Sequence, residues 1–111
     1  MEIVEERHGA VTVVKPMGPL VGDDADRLRS HLEEAIRRSL GRVVVDSSAI
    51  AYLDSGGLEA LYDLSDSLAS SGQSLRLVGV NETVREVFDL TDTASRFECF
   101  GDVQSAVRSF M

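Results

Sequence analysis

Three consecutive segments decide the fold: Val43-Val44-Val45-Asp46, the connection Ser47–Leu53, and Asp54-Ser55-Gly56-Gly57. The first segment is apolar on both faces, which is typical of a central strand in a parallel sheet that is covered on each side. The residues after the third segment repeat leucine at three- and four-residue spacing, at Leu58, Leu61, Leu64 and Leu68. This spacing predicts an amphipathic helix from about Leu58 to Ser70. A central strand is therefore followed by a helix, and a tetrapeptide of small and polar residues directly precedes that helix.

The segments on the N-terminal side predict a hairpin and a first helix. Ile3–Arg7 and Ala10–Lys15 are short and rich in β-branched residues, and His8-Gly9 between them suits a tight turn. Gly22-Asp23-Asp24 is expected to supply the N-cap of a helix that runs to about Leu40. Its apolar residues recur at helical spacing, at Ala25, Leu28, Leu32, Ala35, Ile36 and Leu40.

The segments on the C-terminal side predict two further pairs of strand and helix. Leu75–Val78 reads as a strand, and Asn81 caps a helix from Glu82 to about Leu90. Phe97–Phe100 reads as a short strand, and Asp102 caps a last helix. The predicted order of elements is ββαβαβα(β)α.

This order predicts an α/β fold in a single domain over residues 1–111. We expect a small mixed, mostly parallel sheet of four or five strands, with an N-terminal β-hairpin and about four helices. The strand ends from which helices start share one edge of such a sheet, and ligands and partners dock at that edge. Asp54-Ser55-Gly56-Gly57 is expected there.

The composition is that of a folded, acidic protein. Of the 111 residues, 43% are hydrophobic and 27% are charged, and the formal net charge is −8. Residues 43–111 hold 4 basic and 11 acidic side chains, a net charge of −7. This surplus disfavours nucleic-acid binding, which needs a basic footprint. The longest apolar run, Ala49–Leu53, is five residues, so we expect no membrane association and a cytoplasmic location.

Asp54-Ser55-Gly56-Gly57 supports two interpretations. In the first, Asp54 or Ser55 caps the helix and the glycines allow close packing. In the second, the uncovered amides of a glycine-rich first turn bind an anion such as phosphate. The residues by themselves leave both interpretations open.

Enzyme chemistry has little support in the sequence. A nucleophilic Ser55 needs a base within reach, and His8 and His31 are both predicted outside the loops at the strand ends. Asp46 ends a strand as a receiver-type phosphoacceptor would, but the only lysine, Lys15, lies in the second strand. We therefore expect a protein that is not an enzyme.

Metal and cofactor binding are not expected either. Cys99 is the only cysteine, so it can form neither an internal disulfide nor a cysteine metal cluster. Asp23, Asp24 and Asp26 are grouped, but acidic residues at a helix start are usually favoured by the helix dipole. No glycine-rich nucleotide-binding motif occurs.

Four segments carry a resemblance to a known family: Val43–Asp46, Ile50–Leu61, Leu75–Val80 and Val84–Leu90. In this order they resemble the STAS domain of bacterial anti-sigma factor antagonists. The most specific element is the aspartate–serine pair followed by glycine and leucine where a helix begins. The resemblance covers nearly the whole chain, and it implies the same small sheet surrounded by helices.

The resemblance implies a protein-binding module. In that family the unmodified antagonist binds an anti-sigma factor that has a histidine-kinase-like ATPase fold, and this frees the sigma factor. The same kinase phosphorylates the serine after the aspartate, and a phosphatase resets the switch. By position, the resemblance makes Ser55 the phosphorylation site.

The partner is expected to bind around Ser55. The residues assigned to this surface come from the start of the helix and from the loop after the second strand: Asp54, Ser55, Gly56, Gly57, Pro19, Val21 and Asp23. Tyr52 and Leu53 are further candidates, although residues of these types are more often part of the core.

Two positions depart from the family pattern. Val21 stands where an acidic residue is common, and Gly56 stands where serine or threonine is common. These departures put kinase recognition in question and motivate a second hypothesis. The chain would then be a constitutive scaffold subunit of a signalling or transporter-associated complex, without a phosphorylation switch.

Overall fold

The computed structural model describes all 111 residues and contains one five-stranded sheet with four α-helices. The strands are β1 (Glu2–His8), β2 (Val11–Met17), β3 (Val43–Asp46), β4 (Leu75–Val78) and β5 (Phe97–Phe100). The helices are α1 (Asp23–Ser39), α2 (Ser55–Ala69), α3 (Glu82–Leu90) and α4 (Val103–Arg108), and a short 3-10 helix, Ala94–Arg96, precedes β5. The predicted fold class and order of elements are confirmed.

The strands lie side by side in chain order, β1-β2-β3-β4-β5. β1 and β2 form the predicted antiparallel hairpin, and the other neighbouring pairs are parallel. Each of the connections from β2 to β3, β3 to β4 and β4 to β5 contains a helix. The carboxyl ends of β2, β3 and β4 therefore share one edge of the sheet with the starts of α1, α2 and α3.

The two faces of the sheet are covered unequally. Helices α1, α2 and α3 pack on one face around a core of 18 buried residues that includes Leu28 and Val45. Helix α4 packs on the other face, where Val44 and Val107 belong to a core of 6 buried residues. β3 is thus buried on both sides, as its apolar sequence predicts. No helix of this fold is both long and apolar enough to span a bilayer.

Some predicted element ends are wrong by one or two residues. Strand β2 runs to Met17 and not to Lys15. The hairpin turn is Gly9-Ala10 rather than His8-Gly9, because His8 still pairs with Val11. Helix α1 ends before Leu40, which adopts a left-handed φ of 56° as the C-cap and is 74% exposed. Leu40 therefore does not belong to the buried face of α1.

The start of α2 also differs from the prediction, whereas the N-cap of α1 lies within the predicted Gly22-Asp23-Asp24. Helix α2 begins at Ser55, three residues before the predicted Leu58, because the side chain of Asp54 caps the helix. Helix α1 has Gly22 as its N-cap, without a capping side-chain hydrogen bond, and Asp23 is its first residue. Apolar spacing marks the buried face of a helix, and the first residues of α2 are serine and two glycines, so the spacing does not reveal them.

Candidate functional site

The predicted site lies where two loops meet at the carboxyl edge of the sheet. The loops after β2 and β3 are neighbours because these strands are adjacent and parallel. The Leu20 amide donates to the Tyr52 carbonyl at 3.1 Å, and the Leu20 carbonyl accepts from the Asp54 amide at 3.3 Å. Leu20 also forms a parallel bridge with Leu53. These bonds join the two loops immediately before α2 begins.

The Asp54 carboxylate ties the start of α1 to the start of α2. Its Oδ1 accepts a hydrogen bond from the Gly57 amide at 2.8 Å, which caps α2. Its Oδ2 accepts a hydrogen bond from the Gly22 amide at 3.0 Å. The hydrogen bond from Gly57, followed by that from Gly22, holds the pKa of Asp54 below its ordinary value. Asp54 is therefore ionised at neutral pH.

Replacing Asp54 with asparagine is expected to break one of these two bonds. Asparagine can keep its oxygen toward Gly57, but its NH2 group then faces the Gly22 amide, which is also a donor. We expect Asp54→Asn to lower the melting temperature by about 4–8 °C, the shift expected from the loss of one hydrogen bond in a small domain. Asp102→Asn is the matched control and should have a smaller effect, because Asp102 bonds only to Ser105 within α4. Equal shifts in melting temperature for the two variants would show that the hydrogen bond between Asp54 and Gly22 adds no stability.

The two hydrogen bonds of the Asp54 carboxylate also predict that the stability of the fold depends on pH. The folded state lowers the pKa of Asp54, so the carboxylate contributes stability above its unfolded pKa of about 3.9. That contribution is lost as the pH falls through the lowered pKa of the folded state. The difference in melting temperature between the wild type and Asp54→Asn should therefore narrow as the pH falls below about 4. A difference that stays constant on acidification would show that the carboxylate charge is not involved.

Gly57 allows the first turn of α2 to pack directly on the loop after β2. Gly57 is buried, and a Cβ atom there would overlap the Leu20 carbonyl oxygen and lie 3.1 Å from Leu20 Cγ. Gly56 is different, because a Cβ atom there would meet only Asp54 Oδ1, at an ordinary 3.4 Å. Close packing thus requires a glycine at position 57 but not at position 56.

Ser55 is the first residue of α2, and it is exposed. The first turn of α2 contains no acidic residue, whereas the first turn of α1 contains three. A negative group attached to Ser55 would lie at the N-terminal end of the helix, where the helix dipole favours it. Asp54 and Glu59, one helical turn further on, are negative neighbours of such a group. Ser55 is thus exposed at the start of a helix and has two acidic residues close to it in the chain.

The loop after β2 brings the other predicted partner residues to the same edge. Pro19 and Val21 flank Leu20 in the chain, and both are half-buried. Asp23 is exposed at the first position of α1, beside Gly22, whose amide binds the cap of α2. These residues lie beside the loop after β3 because β2 and β3 are neighbours in the sheet.

Tyr52 and Leu53 have different environments. Tyr52, a candidate for the partner surface, is 52% exposed and does not belong to the core, which is the more common location for its residue type. Leu53 is half-buried and packs against the main core. The Tyr52 carbonyl is held by Leu20. The loop therefore presents an exposed aromatic ring on a fixed backbone, three residues before Ser55.

Two contributors to this site are not evident from the sequence. Leu20 and Gly22 act through main-chain atoms, so their residue types carry little information about these bonds. The only sign of these contacts in the sequence is the glycine at position 22. That residue adopts a φ of 57°, a conformation that favours glycine.

The remaining candidate chemistries lie apart from Ser55. His31 pairs with Glu5 at 2.9 Å, and His8 lies 3.7 Å from Glu6. Neither histidine hydrogen-bonds to Ser55. No group of three or more histidine, cysteine, aspartate or glutamate side chains is arranged to hold a metal ion.

Comparison with known proteins agrees with the fold. The STAS domain family model matches residues 2–106. The anti-sigma F factor antagonist of Paenibacillus polymyxa is 26% identical over 92 residues, which cover 82% of this chain and 79% of that protein.

Two solved structures share the fold. An anti-sigma factor antagonist from Mycobacterium paratuberculosis gives a TM-score of 0.81 at 22% identity, over 97% of this chain and 92% of that chain. The phosphorylated form of the Bacillus cell fate determinant SpoIIAA gives a TM-score of 0.73 at 16% identity, over 99% and 100% of the two chains. Because the family model spans almost the whole sequence, the protein belongs to the STAS domain family.

Proposed function

We propose that this protein is an anti-sigma factor antagonist that is switched by phosphorylation of Ser55. With Ser55 unmodified, it binds and sequesters an anti-sigma factor that has serine-kinase activity, and so regulates sigma-factor-dependent transcription in the cytoplasm. Phosphorylation by that kinase releases the partner, and a phosphatase restores the binding form. The protein acts as a binding module and catalyses no reaction itself.

One observation carries this proposal: an exposed serine begins α2 at an edge of the fold where hydrogen bonds join two loops. Ser55 is accessible, while the backbone on either side of it is held by Leu20 and by the carboxylate of Asp54. A kinase can therefore reach the hydroxyl in a defined position. The relative from Paenibacillus polymyxa is named as an anti-sigma F factor antagonist, and SpoIIAA has been solved in a phosphorylated form, which supports the same interpretation.

The charge around Ser55 explains how the switch would work without refolding. A phosphoryl group adds about −1.5 to −2 charges. In the free protein, the helix dipole stabilises this charge by about 0.3–1 kcal/mol, so the fold tolerates it. In a complex, the same charge must be desolvated against the partner beside Asp54, which costs several kcal/mol. The cost in the interface exceeds the gain in the free domain, so the complex dissociates.

The first test is phosphorylation of the purified chain by a cognate anti-sigma factor kinase with ATP. We expect intact-mass measurement to detect the addition of one phosphoryl group to the wild type and none to Ser55→Ala. Thr83→Ala is a matched control, because Thr83 is an exposed hydroxyl in the first turn of α3 and should not affect the reaction. Addition that persists in Ser55→Ala would reject Ser55 as the site.

A further inference from the structure

A second loop clamp lies on the opposite side of the site from Leu20. Asn81 caps α3, and its Oδ1 accepts a hydrogen bond from the Val84 amide at 2.8 Å. Its Nδ2 donates to the carbonyls of Ile50 and Ala51, at 3.3 Å and 3.0 Å. One side chain thus caps a helix and holds the loop that leads to Ser55.

The carboxamide orientation is fixed by its partners. Both carbonyls require a donor and the Val84 amide requires an acceptor, so a flipped amide would lose all three bonds. Among the hydrogen bonds of the fold, these two are the ones that connect α3 and its N-cap to the loop after β3. On the other side, the loop after β2 contributes the main-chain bonds of Leu20 and the Gly22 bond to Asp54.

We propose that Asn81 is a positioning residue for the surface around Ser55. Its amide holds Ile50 and Ala51 against the start of α3, and this fixes the Tyr52 ring and the entry to α2. Without the amide, Ser47 is still held by the Val78 carbonyl, but the stretch from Ile50 to Asp54 keeps hydrogen bonds to the β2 side only. The surface that this stretch carries then samples several arrangements. A partner or kinase that needs one arrangement then binds only the fraction of molecules that have it. This inference rests on the proposed function for its consequence, but its structural part is independent of any partner.

The two roles of Asn81 can be separated by substitution. Asn81→Asp keeps a strong N-cap, because aspartate caps helices as well as asparagine does. It removes the NH2 donor and places a carboxylate oxygen against two carbonyl oxygens. Asn81→Ser also keeps a capping hydroxyl, and its short neutral side chain removes the donor without adding charge. If Asn81 only caps α3, both variants should behave like the wild type.

The structural part is tested by amide hydrogen exchange on the isolated chain. In both variants we expect exchange of the Leu20 and Asp54 amides, which bond across the loop junction, to increase about tenfold. Exchange of the Val84 amide, which reports the cap, should stay within about twofold of the wild type. Unchanged exchange at Leu20 and Asp54 would overturn the proposal. If Asn81→Asp loosens the whole chain, Asn81→Ser decides the result.

The functional part uses the kinase that modifies the wild type in the assay above. We expect kcat/KM for phosphorylation of Ser55 to fall about tenfold in Asn81→Ser when both proteins are assayed well below their melting temperatures. The melting temperature of the variant should also fall, because two hydrogen bonds are lost. Faster exchange with unchanged kcat/KM would overturn the positioning role. If no kinase modifies the wild type, the proposed function fails, while the exchange experiment still decides whether Asn81 holds the loop.

Discussion

Gly57→Ala is expected to lower the free energy of unfolding by about 3 kcal/mol, the upper range for added volume in a packed interior. The added methyl group would overlap the Leu20 carbonyl oxygen, which is main chain and cannot turn aside as a flexible side chain would. Relief requires α2 to move away from the loop after β2. That movement would strain the Asp54 bonds to Gly57 and Gly22 as well as the Leu20 bonds to Tyr52 and Asp54.

Gly56→Ala is the matched control for this result. The two glycines are adjacent in the first turn of α2, and both substitutions add the same methyl group to a residue with helical backbone. At Gly56 the methyl group makes only an ordinary contact, so we expect a change within about 0.5 kcal/mol, or a small gain from the better helix propensity of alanine. Urea unfolding of both variants gives the comparison. A loss at Gly56 equal to the loss at Gly57 would show that packing on Leu20 is not the cause.

The fold was largely predictable because its pattern is locally consistent. The apolar β3 segment, the leucine spacing of α2 and the caps at Asn81 and Asp102 each specify their own element. The errors occur where backbone geometry decides the boundary. Leu40 continues the apolar spacing of α1 but adopts a left-handed conformation after the helix has ended. Gly56 and Gly57 are poor helix formers, yet the Asp54 cap brings them into α2.

The sequence predicts the helix start at the candidate site but not the contacts that hold it in place. The side chains of Asp54 and Ser55 show a capped helix start in the sequence. The contacts that hold this start depend on which elements are neighbours in space, and no single-sequence pattern reports them. Leu20 acts through its backbone, and Asn81 bonds to a loop 30 residues earlier in the chain. Tyr52 is exposed because the loop turns its side chain outward, whereas composition favours burial.

Phosphorylation of Ser55 is expected to weaken binding of the anti-sigma factor by about 100- to 1000-fold. A loss of several kcal/mol in a desolvated interface corresponds to this range, because each 1.4 kcal/mol is about tenfold in affinity. Ser55→Asp carries one negative charge rather than about two, and its carboxylate is smaller than a phosphate, so its effect should be about 10- to 100-fold. Ser55→Ala adds no charge and should bind within a few fold of the wild type.

Affinities measured by titration calorimetry with the purified anti-sigma factor would compare these forms. Gln104→Glu is the control for net charge, because Gln104 is exposed on α4, which packs on the opposite face of the sheet from α2. It should leave the affinity unchanged, because its charge is added outside the interface. Equal affinity of the wild type, Ser55→Asp and the phosphorylated protein would favour the constitutive scaffold over the switch. Equal losses in Ser55→Asp and Gln104→Glu would assign the effect to total charge, and the position of Ser55 at the start of α2 would then not matter.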